Sequence, residues 1–310
     1  MKSLVLYHAN CNDGFGAAFA AWAKLGDAAE YVPVQYGQVN TVEDLASKFG
    51  ELAGRDIYLL DFSFPRPVLD WLLDNANRFV WLDHHKTAFE LWDATVWMER
   101  QDGLQQWLGT GLKHTIHLNN FKSGAMLAWQ FFHPEKDVPL LIKMIDDRDR
   151  WQFKIDGSRE LHAGLGAGYP MSFEDWNLLV PSGSSDWGKN LGNLVACGAT
   201  VLRAYDEQIN HSAAKANQCT IRQGDWSVQG LAVNNSLHIS ETGNKLAAKS
   251  GTFGLIWYYD GKLDQAICSL RSIGGYDVSA IAKRFGGGGH RNAAGFKVPM
   301  EILMGWLRKE

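Results

Sequence analysis

The chain has 310 residues, of which 46% are hydrophobic and 21% are charged, and its formal net charge is −4. This length suggests two domains that each bury a core, and the composition excludes disordered, collagen-like and coiled-coil classes. No apolar run of about 18 residues occurs, and the N-terminus meets a polar loop too early for a signal peptide. The sequence therefore predicts a cytoplasmic protein. Its four cysteines are too few and too scattered for a disulfide scaffold.

Charge is distributed unevenly along the chain. Residues 214–310 carry 12 Lys and Arg against 7 Asp and Glu, whereas residues 1–213 carry 18 against 27. The acidic N-terminal part suits a metal site, and the basic C-terminal part suits the binding of an anion. Because neutralisation of phosphates dominates affinity for long nucleic acid, we do not expect a net acidic chain to bind long duplexes.

The first half of the chain predicts alternating strands and helices. The predicted strands are Leu4–Tyr7, Tyr31–Val34, Ile57–Leu60 and Phe79–Leu82. The predicted helices are Phe15–Leu25 closed by Gly26, a helix opened by Pro65 and Pro67 that runs through Leu72, Ser123–Phe132 and Pro139–Ile145. Short apolar strands between helices are typical of an α/β fold with a parallel sheet covered on both faces.

A long helix is predicted to join this domain to a smaller one. Gly157–Ser185 is rich in Gly and Ser, with one short helix at Phe173–Leu179, and the long helix runs from Trp187 to about Ala216. The remainder predicts strands and helices of a smaller α/β domain: Trp226–Val233, Phe253–Tyr259, Ala266–Leu270 after an Asp260-Gly261 hairpin signal, Ala294–Val298, and helices Lys245–Lys249 and Val278–Phe285. The predicted parts are therefore a domain 1–185, a linker helix 186–216 and a domain 217–310.

Several candidate metal ligands follow the predicted strands. His8 and Asp13 follow the first strand, Asp61 follows the Ile57–Leu60 strand, and Asp83-His84-His85 ends the Phe79–Leu82 strand. The carboxyl ends of parallel strands share one edge of a sheet, so these side chains are expected to converge. Carboxylate and imidazole donors suit manganese, magnesium, iron or zinc. Two such cations about 3.5–4 Å apart would activate a water for phosphoryl chemistry.

Two further signals lie later in the chain. The acidic cluster Asp146, Asp147 and Asp149 follows a predicted helix and is either a solvated helix end or a partly buried corner in which a carboxylate needs a partner. The run Gly286–Gly289, followed by His290 and Arg291, is either a flexible turn or a loop whose free backbone N–H groups bind an anion. Arg271, at a strand end, is either a second anion clamp or a surface ion pair.

These motifs together resemble a known family. Asp83-His84-His85 after an apolar strand resembles the signature of DHH phosphoesterases. Ser269-Leu270-Arg271-Ser272, followed by Gly286–His290 and Ala293-Ala294-Gly295-Phe296, resembles the DHH-associated substrate domain. The resemblance implies manganese-dependent phosphoester hydrolysis with two Mn²⁺ ions, or Mg²⁺ or another divalent ion, and a substrate held between the domains. It makes 1–185 the catalytic domain and 217–310 the substrate-binding domain.

The resemblance also implies residue roles. His8, Asp13, Asp61, His84 and Asp149 would be metal ligands, with Asp147 as the alternative to Asp149. Asp61 would bridge both metals, Asp83 would orient a histidine, and His85 would face the phosphate, which makes Asp61, Asp83, His84 and His85 the catalytic set. Arg271, Gly288, Gly289 and His290 would bind the substrate. One departure is Cys11-Asn12, where the family has the first Asp of Asp-x-Asp; either another group completes that site or its metal binds more loosely.

The expected substrates are short nucleotides. A small glycine cradle on a net acidic chain indicates anchoring by one terminal phosphate, which favours nano-RNA or linear dinucleotides and an oligoribonuclease-like, exonuclease-like activity. The alternatives are a phosphatase of 3′-phosphoadenosine 5′-phosphate, a cyclic-dinucleotide phosphodiesterase, or a nucleotide-binding sensor without turnover. No membrane partner is expected, and the sequence leaves a homodimer open.

Overall fold

The computed structural model describes residues 2–180 and 188–308. The chain divides into two compact units, Met1–Leu202 and Arg203–Glu310. The division falls inside the helix Lys189–Ala214, which lies where the linker helix was predicted; the start of that prediction, with Ser185 and Trp187, lies outside the described residues. Within the part that the structure describes, no helix combines the length and apolar character needed to cross a membrane.

The N-terminal unit is built on a six-stranded sheet. Its strands are β1 (Ser3–His8), β2 (Ala29–Val34), β3 (Asp56–Leu60), β4 (Arg78–Asp83), β5 (Leu104–Leu108) and β6 (His114–Leu118). The strand order is β2-β1-β3-β4-β6-β5, with parallel neighbours throughout except for the antiparallel edge strand β5. The predicted α/β class and the four predicted strands are confirmed, whereas β5 and β6 were not predicted.

Both faces of this sheet are buried, which explains why its strands are near-continuous apolar runs. On one face, Leu4 and Leu6 of β1 pack with Ile57 and Leu59 and with residues of two helices, Val42–Phe49 and Arg66–Asn75. On the other face, Val5 and Tyr7 join a core formed with the first, fifth and sixth helices. Side chains alternate between the two faces of a strand, so each strand contributes to both cores.

Residues 2–180 of the N-terminal unit, which the structure describes, form eight helices besides the sheet. They are α1 (Asn12–Leu25), α2 (Val42–Phe49), α3 (Arg66–Asn75), α4 (Lys86–Leu91), α5 (Gly124–Phe132), α6 (Leu140–Asp149), α7 (Ser158–Gly166) and α8 (Phe173–Asn177). Short 3-10 turns lie at Gly26–Ala28 and Thr95–Glu99. The predicted end of α1 before Gly26 is confirmed. The helix α9 (Lys189–Ala214) then leads into the second unit.

Four helices of the N-terminal unit differ from the sequence-based expectation, and one of them, α4, was not predicted. α6 continues to Asp149, so the acidic cluster lies in its last turns and not after its end. α7 lies within Gly157–Ser185, the stretch expected to hold only one short helix. α2 was not predicted, although Thr41 and Asp44 form a capping box that satisfies backbone N–H groups at its start.

The topology places the candidate ligands at one crevice. From β1 the chain moves to β2 on one side, and it then returns to β3 on the other side of β1. In open α/β sheets such a switch point marks the ligand-binding crevice at the carboxyl ends of the strands. In the register, Tyr7 lies opposite Leu60 and Leu60 lies opposite Leu82. The residues that follow β1, β3 and β4 are therefore neighbours.

The C-terminal unit is a smaller α/β domain, as predicted. Its strands are β7 (Asn217–Gln223), β8 (Trp226–Asn234), β9 (Phe253–Asp260), β10 (Gln265–Ser272), β11 (Gly288–His290) and β12 (Ala293–Val298), and its helices after α9 are α10 (Ile239–Ser250), α11 (Val278–Arg284) and α12 (Met300–Leu307). The strand order is β11-β12-β10-β9-β8-β7. The hairpin predicted at Asp260-Gly261 is confirmed by antiparallel pairing of β9 with β10. β7, β11 and α12 were not predicted.

Candidate metal centre

Asp61 lies at the middle of the ligand cluster. It follows β3 in the left-handed region, with φ 65°, and its backbone N–H donates to the carbonyl oxygen of Leu82 at 2.9 Å. Its side chain is 1% exposed. Oδ2 lies 3.4 Å from Nδ1 of His8, and Oδ1 lies 3.0 Å from Nε2 of His84. The two carboxylate oxygens therefore face imidazoles from two different strands.

A second group of donors surrounds His84. Its Nε2 lies 3.4 Å from Oδ2 of Asp13 and 3.7 Å from Oδ2 of Asp149. The structure thus brings together five residues predicted as ligands, in two groups that share Asp61. One group contains His8, and the other contains His84 with Asp13 and Asp149.

The carboxylates and imidazoles of the cluster shift one another's pKa values. Burial raises the pKa of Asp13 well above its ordinary value, and the nearby Asp61 and Asp149 carboxylates raise it further. Burial likewise raises the pKa of Asp149, against the opposing effect of His84. Burial would also raise the pKa of Asp61, but His8 and His84 outweigh it and hold that pKa below its ordinary value. Buried carboxylates that repel each other are a setting in which a cation is stabilising.

The histidines are held by the same carboxylates. Burial lowers the pKa of His84, but Asp61, Asp149 and Asp13 outweigh it and raise that pKa well above its ordinary value. A proton on these imidazoles occupies the lone pair that a metal would use, so protons and cations compete for this cluster.

The donor atoms fit a divalent cation. Among the residues that the structure describes, Nδ1 of His8, both carboxylate oxygens of Asp61 and Oδ2 of Asp83 are buried without a hydrogen bond. Each Asp61 oxygen lies close to an imidazole nitrogen, so a cation placed between them could contact both donor types. Two ligands bound to one cation at about 2.0–2.2 Å lie roughly 3.4 Å apart, which matches the separation of His8 and Asp61.

Asp83 holds the turn that follows β4. Its Oδ1 accepts backbone N–H groups of His84 at 2.7 Å and His85 at 3.1 Å, and it lies 2.7 Å from Nδ1 of His85. The Asp83 carboxylate is fully buried, and these contacts compensate for the lost hydration of Oδ1. Asp83 therefore fixes the orientation of His85 relative to the cluster.

The first turn of α5 positions two of the carboxylates. The backbone N–H groups of Gly124 and Ala125 donate to the Asp13 carboxylate at 2.7 and 2.8 Å. Gly124 also contacts Asp61 so closely that an added Cβ would lie 2.5 Å from Asp61 Cβ and 2.6 Å from its Oδ1. Gly124 is thus a positioning residue without a signal in the sequence, because the contact joins segments 63 positions apart.

The geometry separates Asp149 from its alternative. The Asp147 carboxylate accepts the backbone N–H groups of Lys154 at 2.8 Å and Ile155 at 3.1 Å, and the hydroxyl of Ser158 at 2.6 Å. It therefore fastens the segment after α6 to that helix. Asp149 is the carboxylate that lies beside His84.

Tyr36 is a site residue that the sequence reasoning missed. Its ring centroid lies 5.2 Å from that of His8 and 6.0 Å from that of His85. It follows β2, whose carboxyl end belongs to the same sheet edge. The strand-end argument applied to the other strands would have predicted it.

In the C-terminal unit, Arg271 is fixed over the start of α10. Its Nε and Nη2 donate to Oγ of Ser240 at 3.3 and 3.0 Å, and its Nη1 donates to the carbonyl oxygen of Leu270 at 2.9 Å. Gly243 leaves room for this side chain, since a Cβ there would lie 2.6 Å from Cγ of Arg271. The guanidinium is therefore held by the fold in a defined position.

The glycine run is more ordered than the sequence predicted. The N–H groups of Gly286 and Gly287 donate to carbonyl oxygens of α11, so the expectation that the whole run leaves its N–H groups free is wrong for these two. Gly288, Gly289 and His290 form β11, which pairs with β12. Gly289 has φ 133°, and a Cβ there would lie 2.5 Å from the carbonyl oxygen of Ala293. Close approach of the two strands is thus one physical reason for glycine here.

Comparison with known families assigns the C-terminal unit. The model of the DHHA1 domain matches residues 228–307. The chain carries a DHHA1 domain. This confirms the resemblance of the C-terminal motifs to the DHH-associated domain. The DHHA1 domain contains Arg271, Gly288, Gly289 and His290, the four residues predicted to bind substrate.

Among the proteins similar to this DHHA1-containing chain is R106, an uncharacterised protein of Acanthamoeba polyphaga mimivirus. It is 30% identical over 94% of the chain, which spans 66% of that curated relative's length. A crystal structure of an uncharacterised Helicobacter pylori G27 protein has a TM-score of 0.41 at 14% identity, covering 96% of this chain and 93% of that one. A pGpG-specific phosphodiesterase from Vibrio cholerae has a TM-score of 0.46 at 13% identity, covering 98% and 95%.

Proposed function

We propose that this chain is a divalent-metal-dependent phosphoesterase that hydrolyses short nucleotides, with nano-RNA or linear dinucleotides as substrates and manganese as the expected metal. The observation that carries the proposal is the buried Asp61 carboxylate, whose two oxygens face His8 and His84 without hydrogen bonds at the switch point of a parallel sheet. The DHHA1 domain supports the same reaction class.

The residues of the cluster have distinct proposed tasks. His8 and Asp61 would hold one cation, and Asp13, His84 and Asp149 would hold another, with Asp61 shared between them. Two such cations supply a water of lowered pKa and neutralise the oxygens of the phosphoryl group. The buried Asp61 keeps its own geometry during this reaction, because its backbone and Cβ are fixed by β4 and by Gly124.

His85 is proposed to contact the phosphate. Asp83 holds its Nδ1 at 2.7 Å and also holds its backbone N–H, so the ring has one defined orientation. A carboxylate beside Nδ1 holds the imidazole ring in place, which leaves Nε2 as the ring nitrogen that would contact the phosphate. A polar group held beside a phosphoryl oxygen stabilises the charge that develops during displacement.

The DHHA1 domain is proposed to anchor the end of the substrate. Arg271 is held by Ser240 and presents a permanent positive charge, which suits a terminal phosphate. Gly288, Gly289 and His290 form the edge strand β11 of the same sheet. Strand β12 lies between β11 and β10, the strand that carries Arg271. A substrate anchored by one phosphate is short, so the proposal favours dinucleotides and nano-RNA over long strands.

The test is hydrolysis of a small substrate panel by metal-stripped protein reconstituted with Mn²⁺, Mg²⁺ or Zn²⁺. The panel contains a linear dinucleotide, a trinucleotide RNA, 3′-phosphoadenosine 5′-phosphate and a cyclic dinucleotide. We expect metal-dependent hydrolysis of the linear dinucleotide or the RNA, and its loss in Asp61→Ala with the circular-dichroism spectrum unchanged. Failure of every metal-loaded sample to hydrolyse any substrate, despite nucleotide binding, would instead indicate a sensor.

A further inference from the structure

The structure suggests a role for Cys11-Asn12, the dipeptide at which this chain departs from the acidic pattern of the family. We propose that Cys11 is a thiolate ligand that completes the His8–Asp61 half of the centre, and that this half therefore prefers a thiophilic ion such as Zn²⁺ over Mn²⁺ or Mg²⁺. The proposal takes the metal centre from the proposed function and does not depend on turnover.

The first support is proximity. Ligand atoms of His8, Cys11 and Asp61 all lie within 4.8 Å of one another, so small side-chain movements would bring all three onto one cation. Asn12, the other departing residue, is directed elsewhere, since its Nδ2 lies 3.2 Å from Nδ1 of His162 on α7. Of the two residues that differ from the family's acidic pattern, Cys11 is therefore the one beside Asp61.

The second support is that ordinary structural roles do not account for Cys11. It is the N-cap residue of α1, a position that favours Ser, Thr, Asp or Asn; its sulfur faces the backbone N–H of Gly14 but is a weak acceptor and forms no capping hydrogen bond of ordinary geometry. It is also only partly buried, whereas Cys219 and Cys268 are buried as small apolar side chains in the core of the C-terminal unit. Neither capping nor packing requires a thiol at this position.

The third support is a pair of buried polar atoms near the thiol that form no hydrogen bond. Nδ1 of His8 and Oδ2 of Asp61 are buried without a hydrogen bond, at a separation of 3.4 Å. Asp61 is 1% exposed, so leaving its carboxylate unsatisfied carries a desolvation penalty. A cation held by these two atoms and by the sulfur of Cys11 would satisfy both.

The donor types then decide which ions bind. One nitrogen, one oxygen and one thiolate, with a further position for water, is the kind of donor set that catalytic zinc sites use. A thiolate shifts selectivity toward zinc, cobalt and iron, because manganese and magnesium prefer oxygen donors. Asp13, His84 and Asp149 offer only nitrogen and oxygen. The two halves of the centre would therefore differ in metal preference, and binding at the first half would release the Cys11 proton to solvent.

Cobalt substitution tests the assignment without measuring hydrolysis. Metal-stripped full-length protein is titrated with Co²⁺ under anaerobic conditions, and the near-ultraviolet thiolate-to-cobalt charge-transfer band is recorded. The matched variants are Cys11→Ser, Cys11→Asp and, as control, Cys197→Ser, which alters an exposed cysteine of α9. We expect the band in the wild type and in Cys197→Ser, and its loss in both Cys11 variants.

Metal affinity and thiol reactivity give independent readouts. In Cys11→Ser the Zn²⁺ affinity should fall by at least the roughly 10–100-fold that loss of an outer-shell partner costs, and Cys11→Asp should shift preference toward Mn²⁺. In the unaltered protein, which avoids any folding defect, Zn²⁺ should slow alkylation of Cys11, measured by peptide mass spectrometry, and leave Cys197 unaffected.

The outcomes separate this assignment from the proposed function. A charge-transfer band without hydrolysis of any substrate would support the Cys11 ligand and contradict the phosphoesterase. Hydrolysis with Co²⁺ bound but no band, or a band that persists in Cys11→Ser, would overturn the Cys11 ligand and leave the phosphoesterase in place. Equal alkylation of Cys11 with and without Zn²⁺ would likewise overturn it.

Discussion

Gly124→Ala is a small change that the structure predicts to have a large effect on the metal centre. The new methyl carbon would lie 2.5, 2.6 and 2.7 Å from Cβ, Oδ1 and Cγ of Asp61. Because carbon atoms in ordinary contact are roughly 3.5–4.0 Å apart, either Asp61 or the start of α5 must move by about 1 Å. Movement of α5 would also disturb Asp13, whose carboxylate accepts the Gly124 N–H.

The expected effect on activity exceeds the effect on stability. A misplacement of about 1 Å in a catalytic site can cost roughly 100-fold in rate. Overpacking costs about 1–3 kcal/mol of unfolding free energy, and Ala for Gly in a helix returns up to about 1 kcal/mol. The net loss of stability should therefore be no more than about 3 kcal/mol, which leaves a folded protein with a damaged site.

Three measurements check this prediction: kcat for the best substrate, bound metal by mass spectrometry, and urea denaturation of the metal-stripped protein. The matched control is Gly192→Ala, at a glycine of α9 where an added Cβ would meet no atom within 4 Å. That variant should keep full activity and metal content. Gly124→Ala with wild-type kcat and wild-type metal content would refute the argument that Gly124 positions Asp61.

Three other predictions follow from the site geometry. Asp147→Ala should lower the unfolding free energy by roughly 2–3 kcal/mol through lost hydrogen bonds and leave metal content unchanged. Asp149→Ala should lower metal content and leave the unfolding free energy of the metal-stripped protein nearly unchanged; urea denaturation and metal analysis distinguish the two variants. Arg271→Ala should lower kcat/KM about ten- to hundredfold for a substrate with a terminal phosphate and little for a small chromogenic diester, and equal losses would remove the phosphate-anchor role. Mn²⁺ at about 100 times its Kd should stabilise the protein by roughly 2.7 kcal/mol, and the stabilisation should disappear in Asp61→Ala; an equal shift in Tm for that variant would contradict Asp61 as a ligand.

Much of the sheet could be predicted because its strands are buried on both faces. Such strands appear in the sequence as short apolar runs, and Leu4–Tyr7, Ile57–Leu60 and Phe79–Leu82 all proved to be parts of strands. The edge strand β5 was missed because its residues alternate between buried and exposed. It contains Gln105 and Gln106, so it gives no apolar run.

The convergence of His8, Asp61 and His84 was also accessible from the sequence, because topology alone places the ends of neighbouring parallel strands together. The choice of Asp149 over Asp147 rested on the family resemblance alone, because both lie in the last turn of α6; the fold places Asp149 beside His84. The contact of Gly124 with Asp61 was hidden, since a glycine carries no side chain whose chemistry signals a site.

Diffraction with anomalous scattering is the most direct test of the metal centre, on crystals grown with Mn²⁺ and Zn²⁺. We expect two cation peaks beside the Asp61 carboxylate, each at a ligand distance of about 2.0–2.4 Å. One peak should adjoin His8 and the other His84. Well-occupied cation peaks elsewhere in the protein, with none at ligand distance from Asp61, would show that Asp61 is not a metal ligand.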